Sequence, residues 1–353
     1  MSKFLSYILY LRGVAIFIVV GVHAKGSVSD WDYHLQAHDL LSTIFDAREG
    51  NGTVMFIFIG GFLFQYLTHN NFDFKKYIEK KFMFVILPYI LISIPMIAFR
   101  IYTNYSVSVP PGFNDQSIFF RFFYYLVTGL HLAPFWFIST IVLFYLCSPL
   151  FHALDNQKVY TYIFPLIFLT CFFTYRPLHN ANPFFSYLHY FPIYFLGMWT
   201  SFYRNKILKA GKWLFYPLII IYCVIELGNF TGLLPLHQQI TFEEVILNHK
   251  VLFNVEILKA VLLCIILTLF FYRYQEKRFP FLEILGEYSF GIFFVHCVFI
   301  YGTKRLWMNI FGPIEFSLIS FIIYLSFIIL ISTATVFFVK KMTGRYSRIL
   351  IGS

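Results

Sequence analysis

Ten apolar segments, separated by short polar stretches, dominate the pattern of the chain. They cover residues 4–24, 51–69, 81–101, 134–153, 158–175, 184–203, 212–230, 252–273, 281–302 and 314–339. A helix needs about 20 apolar residues to cross the ~30 Å hydrocarbon core of a bilayer. Because lipid offers the backbone no hydrogen-bond partners, helices are the structure expected for these segments. The pattern predicts an all-α integral membrane protein with about ten transmembrane helices.

A further apolar stretch, "SIFFRFFYYLVTGL" at 117–130, is shorter and is interrupted by Arg121. It is typical of an interfacial or re-entrant helix within a long loop. No internal repeat of 20–50 residues is apparent, and no polar linker separates a soluble region. We therefore expect a single transmembrane domain over 1–353, with no appended soluble domain.

Composition agrees with a membrane protein and excludes an ordinary soluble one. Hydrophobic residues make up 59% of the chain, charged residues only 12%, and mean hydropathy is +0.70. A soluble protein this apolar would expose large apolar patches and aggregate. The net charge of +10 lies between apolar segments and forms no recognisable nucleic-acid-binding motif. We expect membrane lipid as a partner and no nucleic acid.

The positions of lysine and arginine predict the orientation of the chain. With the N-terminus inside, the inner loops and the C-terminal tail collect Lys75, Lys76, Lys80, Lys81, Lys158, Arg204, Lys206, Lys209, Lys212, Arg273, Lys277, Arg278, Lys340, Lys341, Arg345 and Arg348. Outer loops are poorer in these residues, and the first one, 25–50, carries Asp30, Asp32, Asp39, Asp46 and Glu49. Cytoplasmic loops of membrane proteins are enriched in lysine and arginine. Both termini are therefore expected in the cytoplasm.

The cysteines give no sign of a disulfide framework or a metal site. There are five of them, an odd number, and none forms a C-x-x-C pair. All lie in apolar stretches, at Cys147, Cys171, Cys223, Cys264 and Cys297. Such cysteines usually behave as small buried hydrophobic residues. We expect no bound metal.

Two polar side chains stand out in the first apolar segment, "LRGVAIFIVVGVHA". Arg12 and His23 are eleven residues apart, which on a helix is three turns plus about 20°, so both project from one face about 16 Å apart along the axis. Taken singly, Arg12 could snorkel to the inner headgroups and His23 could be an interfacial residue. Together they suggest two positions along one internal path. A guanidinium suits a phosphate, and a histidine suits a general base.

Five motifs in this order resemble the membrane-bound acyltransferase family 3. The first is the arginine, ten residues and histidine of the first span. The others are "FIFIGGFLF" (56–64), "KKFMFVILPYI" (80–90), "FWFISTIVLFYLCSPL" (135–150) and "LGEYSFGIFFVHCVF" (285–299). Two departures matter: Gly60 replaces a serine that is usual in the second motif, and lysines replace arginines in the third. A lysine meets a phosphate as a point charge and not bidentately.

The resemblance implies an O-acyltransferase of the bacterial cytoplasmic (inner) membrane, on an exopolysaccharide-modifying branch. Its donor would be cytoplasmic acyl-CoA, most often acetyl-CoA, and its acceptor a hydroxyl of a cell-surface or exported polysaccharide. His23 would be the general base or would carry the acyl group. Arg12, Lys80 and Lys81 would bind the acyl-CoA. A polysaccharide synthesis or export complex is a further partner that this function would suit.

Three other residues are candidates for the acceptor site. His296 is expected on the outer half of the ninth span, Glu226 in the seventh, and Trp136 near the outer side of the fourth. Each has a structural alternative: a histidine bonded between helices, a packed glutamate and a belt aromatic, respectively. Glu256 and Lys259 are three residues apart, which favours a structural ion pair on one helix face.

Two other classes of function remain open from the sequence. Intramembrane charge and many spans also fit a transporter or flippase for a glycan or a lipid-linked sugar. That class often contains inverted repeats, which are not apparent here. A non-enzymatic scaffold of an export complex would have no need of His23. Replacement of this histidine separates the classes.

Overall fold

The computed structural model describes residues 6–28, 45, 51–104, 109–177, 180–231, 233, 253–312 and 317–352. Helices make up most of this part of the chain, and no strand occurs in it. The predicted all-α class is therefore confirmed. The acidic residues of the loop 25–50 lie outside the described residues.

The described residues of the first half of the chain form seven α-helices. They are α1 (Ser6–Val28), α2 (Asn51–Thr68), α3 (Phe74–Lys81), α4 (Leu87–Thr103), α5 (Ile118–Thr128), α6 (Trp136–Leu146) and α7 (Ser148–Leu154). A π-helical turn, Phe82–Ile86, joins α3 to α4 without a break. The short α5 is the helix that the sequence predicted as interfacial or re-entrant.

Seven further α-helices lie in the part of the second half that the structure describes. They are α8 (Phe164–Thr170), α9 (Pro183–Phe202), α10 (Arg204–Phe230), α11 (Val255–Arg273), α12 (Pro280–Phe311), α13 (Leu318–Thr343) and α14 (Ser347–Ile351). A π-helical turn, Val159–Ile163, precedes α8. Side-chain caps define several starts, since Asn254 accepts from the backbone N–H of Ile257 and Ser317 from that of Ser320.

All ten predicted apolar segments are helical over most of the residues that the structure describes in them, but fewer qualify as spans by length and composition. Six helices do so among the described residues, and the number rises to eight if two bent pairs each form one span. The bent pairs are α6 with α7 and the two parts of α10. Of the other two segments, 158–175 forms only a short apolar helix, and α9 is less apolar because it carries prolines, serines and His189.

Helix α1 lies at the centre of the bundle and packs against α2, α11, α12 and α13. Its contact with α12 is close because glycines stand on both sides. A Cβ at Gly13 would collide with the carbonyl oxygen of Leu282, and one at Gly286 with that of Leu9. Small residues let membrane helices approach in this way. The approach brings the polar residues of α1 and α12 within reach of each other.

The contact between α2 and α9 depends on one of the two glycines in "GGFLF". A Cβ at Gly61 would collide with the carbonyl oxygen of Tyr194, whereas one at Gly60 would lie 3.5 Å from the Tyr194 ring, an ordinary contact. Gly197 on α9 approaches the carbonyl of Phe58 in return. Position 60 therefore has room for a Cβ, whereas position 61 does not.

This asymmetry predicts different effects for two neighbouring substitutions. Gly61→Ala is expected to destabilise the protein by about 1–3 kcal/mol, because the backbones of α2 and α9 must separate. Gly60→Ala should change stability little and is the matched control. The midpoint of thermal unfolding in detergent measures both, and equal midpoints for the two variants would contradict the packing described here.

The outer surface of the bundle is apolar. In helix α13 and in the α3–α4 helix, only 28% of the residues in the most apolar stretch are buried. Large hydrophobic side chains project outwards from them, including Ile319 and Leu330 at 71% and 69% exposure. Such a surface suits lipid and not water.

Candidate active site

Arg12 and His23 of α1 both contact α12. Arg12 donates a hydrogen bond from Nη2 to Ser289 Oγ at 2.9 Å, and Ser289 in turn donates to the carbonyl of Gly286. Farther along, the rings of His23 and His296 lie 5.4 Å apart. Ser289 and His296 are seven residues apart, about two helical turns on one face of α12. The same-face arrangement predicted for Arg12 and His23 is therefore present.

The protonation of His296 follows from its hydrogen bond. Its Nδ1 lies 2.9 Å from the carbonyl oxygen of Ile292, which can only accept. Nδ1 therefore carries the proton in the neutral ring, and Nε2 keeps its lone pair. A ring nitrogen of His296, a ring nitrogen of His23 and Cys297 Sγ lie together as a cluster of possible ligand atoms. His296 is fully buried, whereas His23 is partly exposed.

His23, His296 and Cys297 bring three potential metal ligands within 4.8 Å of one another. Cys297 Sγ lies 3.4 Å from His296 Nε2. Two imidazoles and a thiol are donors that zinc accepts, and they would leave one position of a tetrahedral site open. A metal here would occupy the lone pairs that proton transfer needs, so the two roles compete. The sequence predicted no metal, and that stays a prediction.

A cavity of about 860 Å³ opens at the His23 end of the bundle, and we call it the outer cavity. It is lined by the C-terminal parts of α1, α4 and α12 and by the start of α6. His23, Cys297 and Trp136 all line it. Trp136 also stacks on Tyr190, with ring centres 6.1 Å apart. The structure thus brings two acceptor-site candidates, His296 and Trp136, to the histidine of α1.

Cationic side chains gather at the opposite, Arg12 end of α1. Lys81 and Arg348 of α14 both lie close enough to Arg12 for their positive charges to repel its own. Lys81 Nζ lies over the rings of Tyr77 and Tyr145, at 5.2 and 4.7 Å. Lys80, the other predicted donor-binding lysine, is exposed on the outside of α3. Of the two lysines, the structure therefore places only Lys81 with Arg12.

The structure does not bring Glu226 to His23. Its carboxylate lies 3.1 Å from Lys259 Nζ, and that ammonium also lies 3.4 Å from Glu256. Lys259 is only 1% exposed. A buried ammonium needs partners of opposite charge, and two carboxylates supply them here. The expected Glu256–Lys259 pair is present, and Glu226 of α10 joins it.

We therefore expect Glu226→Gln to affect stability and not chemistry. The substitution keeps the shape but removes one of two charges beside Lys259, which should cost about 1–3 kcal/mol. The thermal midpoint should fall, while acyl transfer per folded molecule stays within about threefold of wild type. An unchanged thermal midpoint together with a loss of acyl transfer would indicate that Glu226 acts in the acceptor site.

Some residues around the two histidines were not singled out from the sequence. Ser289 lies within the motif "LGEYSFGIFFVHCVF" (285–299), but nothing in its spacing pairs it with Arg12. Cys297 was interpreted as a small buried residue, which its full burial agrees with, although it also lines the outer cavity. Four cations of the outer cavity, Arg100, Arg176, Lys304 and Arg305, come from three separate regions of the chain. Only the fold reveals that they lie together.

A family model described as an acyltransferase domain matches residues 5–339. The match includes α1, α12 and every candidate residue named above except Arg348. Searches of curated proteins and of solved structures give no significant match. The family resemblance found in the five motifs is confirmed, since the matched range is nearly the whole chain. The chain belongs to the membrane acyltransferase family 3 and is a multi-pass membrane acyltransferase.

Proposed function

We propose that the chain moves an acyl group, an acetyl in the first instance, from acyl-CoA to a hydroxyl of a cell-surface or exported polysaccharide. The observation that carries this proposal is that Arg12 and His23 lie on one face of α1 and both contact α12. Lys81 and Arg348 lie near Arg12, whereas His23 packs against His296 and lines the outer cavity.

The separation of Arg12 and His23 suits acyl-CoA. Arg12 and His23 are about 16 Å apart along α1. In CoA the extended pantetheine arm separates the phosphates from the thioester by a comparable length. With the phosphates at Arg12, Lys81 and Arg348, the thioester would lie near His23. Guanidinium groups are well suited to phosphate because they donate two parallel hydrogen bonds.

The chemistry needs one base and no further activation of the donor. The acceptor oxygen attacks the thioester carbonyl carbon while His23 removes the hydroxyl proton. The carbon–sulfur bond then breaks, and the proton passes to the CoA thiolate, which leaves as the thiol. An alternative route has His23 attack first and carry the acyl group before the acceptor takes it. Both routes place His23 in contact with the reacting atoms.

The proposed location is the bacterial cytoplasmic membrane, on the exopolysaccharide-modifying branch of the family. The predicted orientation puts Arg12 on the cytoplasmic side, where acyl-CoA is made. It puts His23 and the outer cavity on the side where surface polysaccharide is assembled. An export or synthesis complex is the proposed source of the acceptor.

Release of free CoA by the purified chain tests the proposal. The protein is reconstituted in nanodiscs with acetyl-CoA and with surface polysaccharide from cells that lack the gene, and free thiol is followed with a chromogenic reagent. We expect thiol release that depends on the protein and on the polysaccharide, with an equal amount of acetyl on the product. Movement of a lipid-linked sugar across vesicles without thiol release would support the flippase alternative instead.

A further inference from the structure

Three side chains that can bind a metal, His23, His296 and Cys297, lie together where α1 meets α12. Their ligand atoms all lie within 4.8 Å of one another. In a tetrahedral zinc site, bonds of about 2.0–2.1 Å to nitrogen and about 2.3 Å to sulfur place neighbouring donor atoms about 3.3–3.6 Å apart. Cys297 Sγ and His296 Nε2 are already 3.4 Å apart. Side-chain movements of about 1 Å therefore bring all three donor atoms to the spacing of zinc ligands.

The fold orients His296 in the way that is usual for a metal-binding histidine. Its Nδ1 donates to the carbonyl oxygen of Ile292 at 2.9 Å, which leaves the lone pair on Nε2, beside Cys297. Histidines that bind metals almost always donate their other ring N–H to a carbonyl, a carboxylate or water, which fixes the tautomer and the ring. His296 and Cys297 are 0% and 1% exposed, so packing holds both. Two of the three ligands are thus preorganised.

The third ligand, His23, comes from α1 and connects the cluster to the outer cavity. Its ring lies 5.4 Å from that of His296, and it is partly exposed. His23 and Cys297 both line the outer cavity. An ion can therefore reach the three side chains from the cavity, and a solvent molecule from the cavity can fill the fourth position of a tetrahedral site.

The donor atoms select the class of ion. Two imidazoles and one thiolate suit zinc, whereas magnesium and calcium prefer oxygen ligands. Four cationic side chains also line the outer cavity, and their charges weaken the binding of any dication: Arg100, Arg176, Lys304 and Arg305. Zinc offsets part of this repulsion, because its bond to Cys297 releases the thiol proton and the site gains only one net positive charge.

We infer that zinc binds His23, His296 and Cys297 and thereby switches off acyl transfer. The binding site follows from the geometry alone, whereas its effect on transfer rests on the proposed function. In that function His23 removes the proton of the acceptor hydroxyl or attacks the thioester, and both need the lone pair that zinc occupies. The sequence speaks against a metal cofactor, and this ion is not one, because it opposes the reaction. In the predicted orientation, the outer cavity exposes the site to zinc outside the cytoplasm.

Binding of cobalt(II) to the purified chain tests the site without relying on catalysis. Cobalt(II) accepts the ligands and the geometry of zinc, and its bond to a thiolate gives an absorption band in the near ultraviolet. We expect the wild-type chain in nanodiscs of zwitterionic lipid to bind one cobalt ion with this band, and excess zinc to abolish the band by displacement. Zinc should also raise the midpoint of thermal unfolding, since a ligand that binds only the folded protein stabilises it.

Substitutions within and outside the cluster locate the ion. Cys297→Ser should lose the thiolate band, and both Cys297→Ser and His296→Gln should weaken zinc binding by about tenfold or more. Cys264→Ser is the matched control, because Cys264 is as buried as Cys297 but lies on α11, outside the cluster. It should bind both ions as the wild type does. A band that survives in Cys297→Ser, or equal zinc affinity in the wild type and both cluster variants, would overturn the inference.

Transfer of labelled acetyl to polysaccharide, with each rate compared with that of the same protein without zinc, tests the effect of the ion. Zinc that saturates the site should lower the wild-type rate by about tenfold or more, and a chelator should restore it. Magnesium at the same concentration should have no effect. A full rate with zinc bound, or a rate that requires zinc, would contradict inhibition.

The two readouts separate this inference from the proposed function. Acetyl transfer by a chain that binds neither cobalt nor zinc would leave the acyltransferase intact and remove only the metal site. Cobalt binding at Cys297 without acetyl transfer under any condition would instead leave the metal site and contradict the proposed function.

Discussion

Replacing His23 with glutamine is expected to slow acyl transfer by about 10²–10⁴-fold, the range that general acid–base catalysis supplies. Glutamine is similar in size and keeps a hydrogen-bonding end, but it cannot take a proton from the acceptor hydroxyl. If His23 instead carries the acyl group, glutamine removes that route as well. The rate of acetyl transfer by purified protein, per folded molecule, measures the effect.

Two other histidine variants show whether the loss of activity is specific to histidines of the candidate active site. His296→Gln should lower the rate by a smaller factor, since this ring lies beside His23 and is fully buried. His152→Gln is the control, because His152 packs against Phe72 and is not among the residues that line the outer cavity. A full rate for His23→Gln would exclude His23 from the chemistry, whatever the other two variants do.

Replacing Arg12 with alanine is expected to reduce kcat/KM for acetyl-CoA by about 10²-fold. The loss of charge-assisted hydrogen bonds to phosphate, of about 1.5–3 kcal/mol, corresponds to roughly 10- to 150-fold. The same variant should react normally with S-acetyl-pantetheine, which has the thioester but no phosphates. Comparison of the two donors separates contact with the phosphates from damage to the helix pair.

Variants of Ser289, Lys80 and Lys81 test which neighbours of Arg12 contribute to donor binding. Ser289→Ala should have a milder effect than Arg12→Ala, because it removes the hydrogen bond that orients the guanidinium and not the guanidinium itself. Lys81→Ala should weaken acetyl-CoA binding more than Lys80→Ala, since only Lys81 lies by Arg12. An equal loss with both donors for Arg12→Ala would mean that Arg12 holds the structure together and does not meet the donor.

The helices could be predicted from the sequence because their signal is local. Runs of apolar residues of bilayer length dictate where the backbone must satisfy its own hydrogen bonds, and all ten runs are helical over most of their described residues. The number of spans was less predictable, because bends within α10 and between α6 and α7 depend on packing. The pairing of Arg12 with His23 on one face followed from helical periodicity alone.

The partners of these residues could not be predicted in the same way. Ser289 reaches Arg12 only because Gly13 and Gly286 let α1 and α12 approach, and such contacts join residues about 270 positions apart. Glu226 was a candidate for the acceptor site because of its predicted place in the seventh span. Its actual partner, Lys259, becomes visible only when α10 and α11 are packed together. The cations of the outer cavity are dispersed along the chain for the same reason.

The most direct test of the central claim is mass spectrometry of surface polysaccharide from isogenic cells. One strain carries the wild-type chain, one carries His23→Gln and one lacks the gene, with membrane levels of the two proteins matched. We predict that only the wild-type strain shows a sugar with the added mass of an acyl group. The same acyl decoration in all three strains, with a change only in the amount or location of the polymer, would contradict the acyltransferase account.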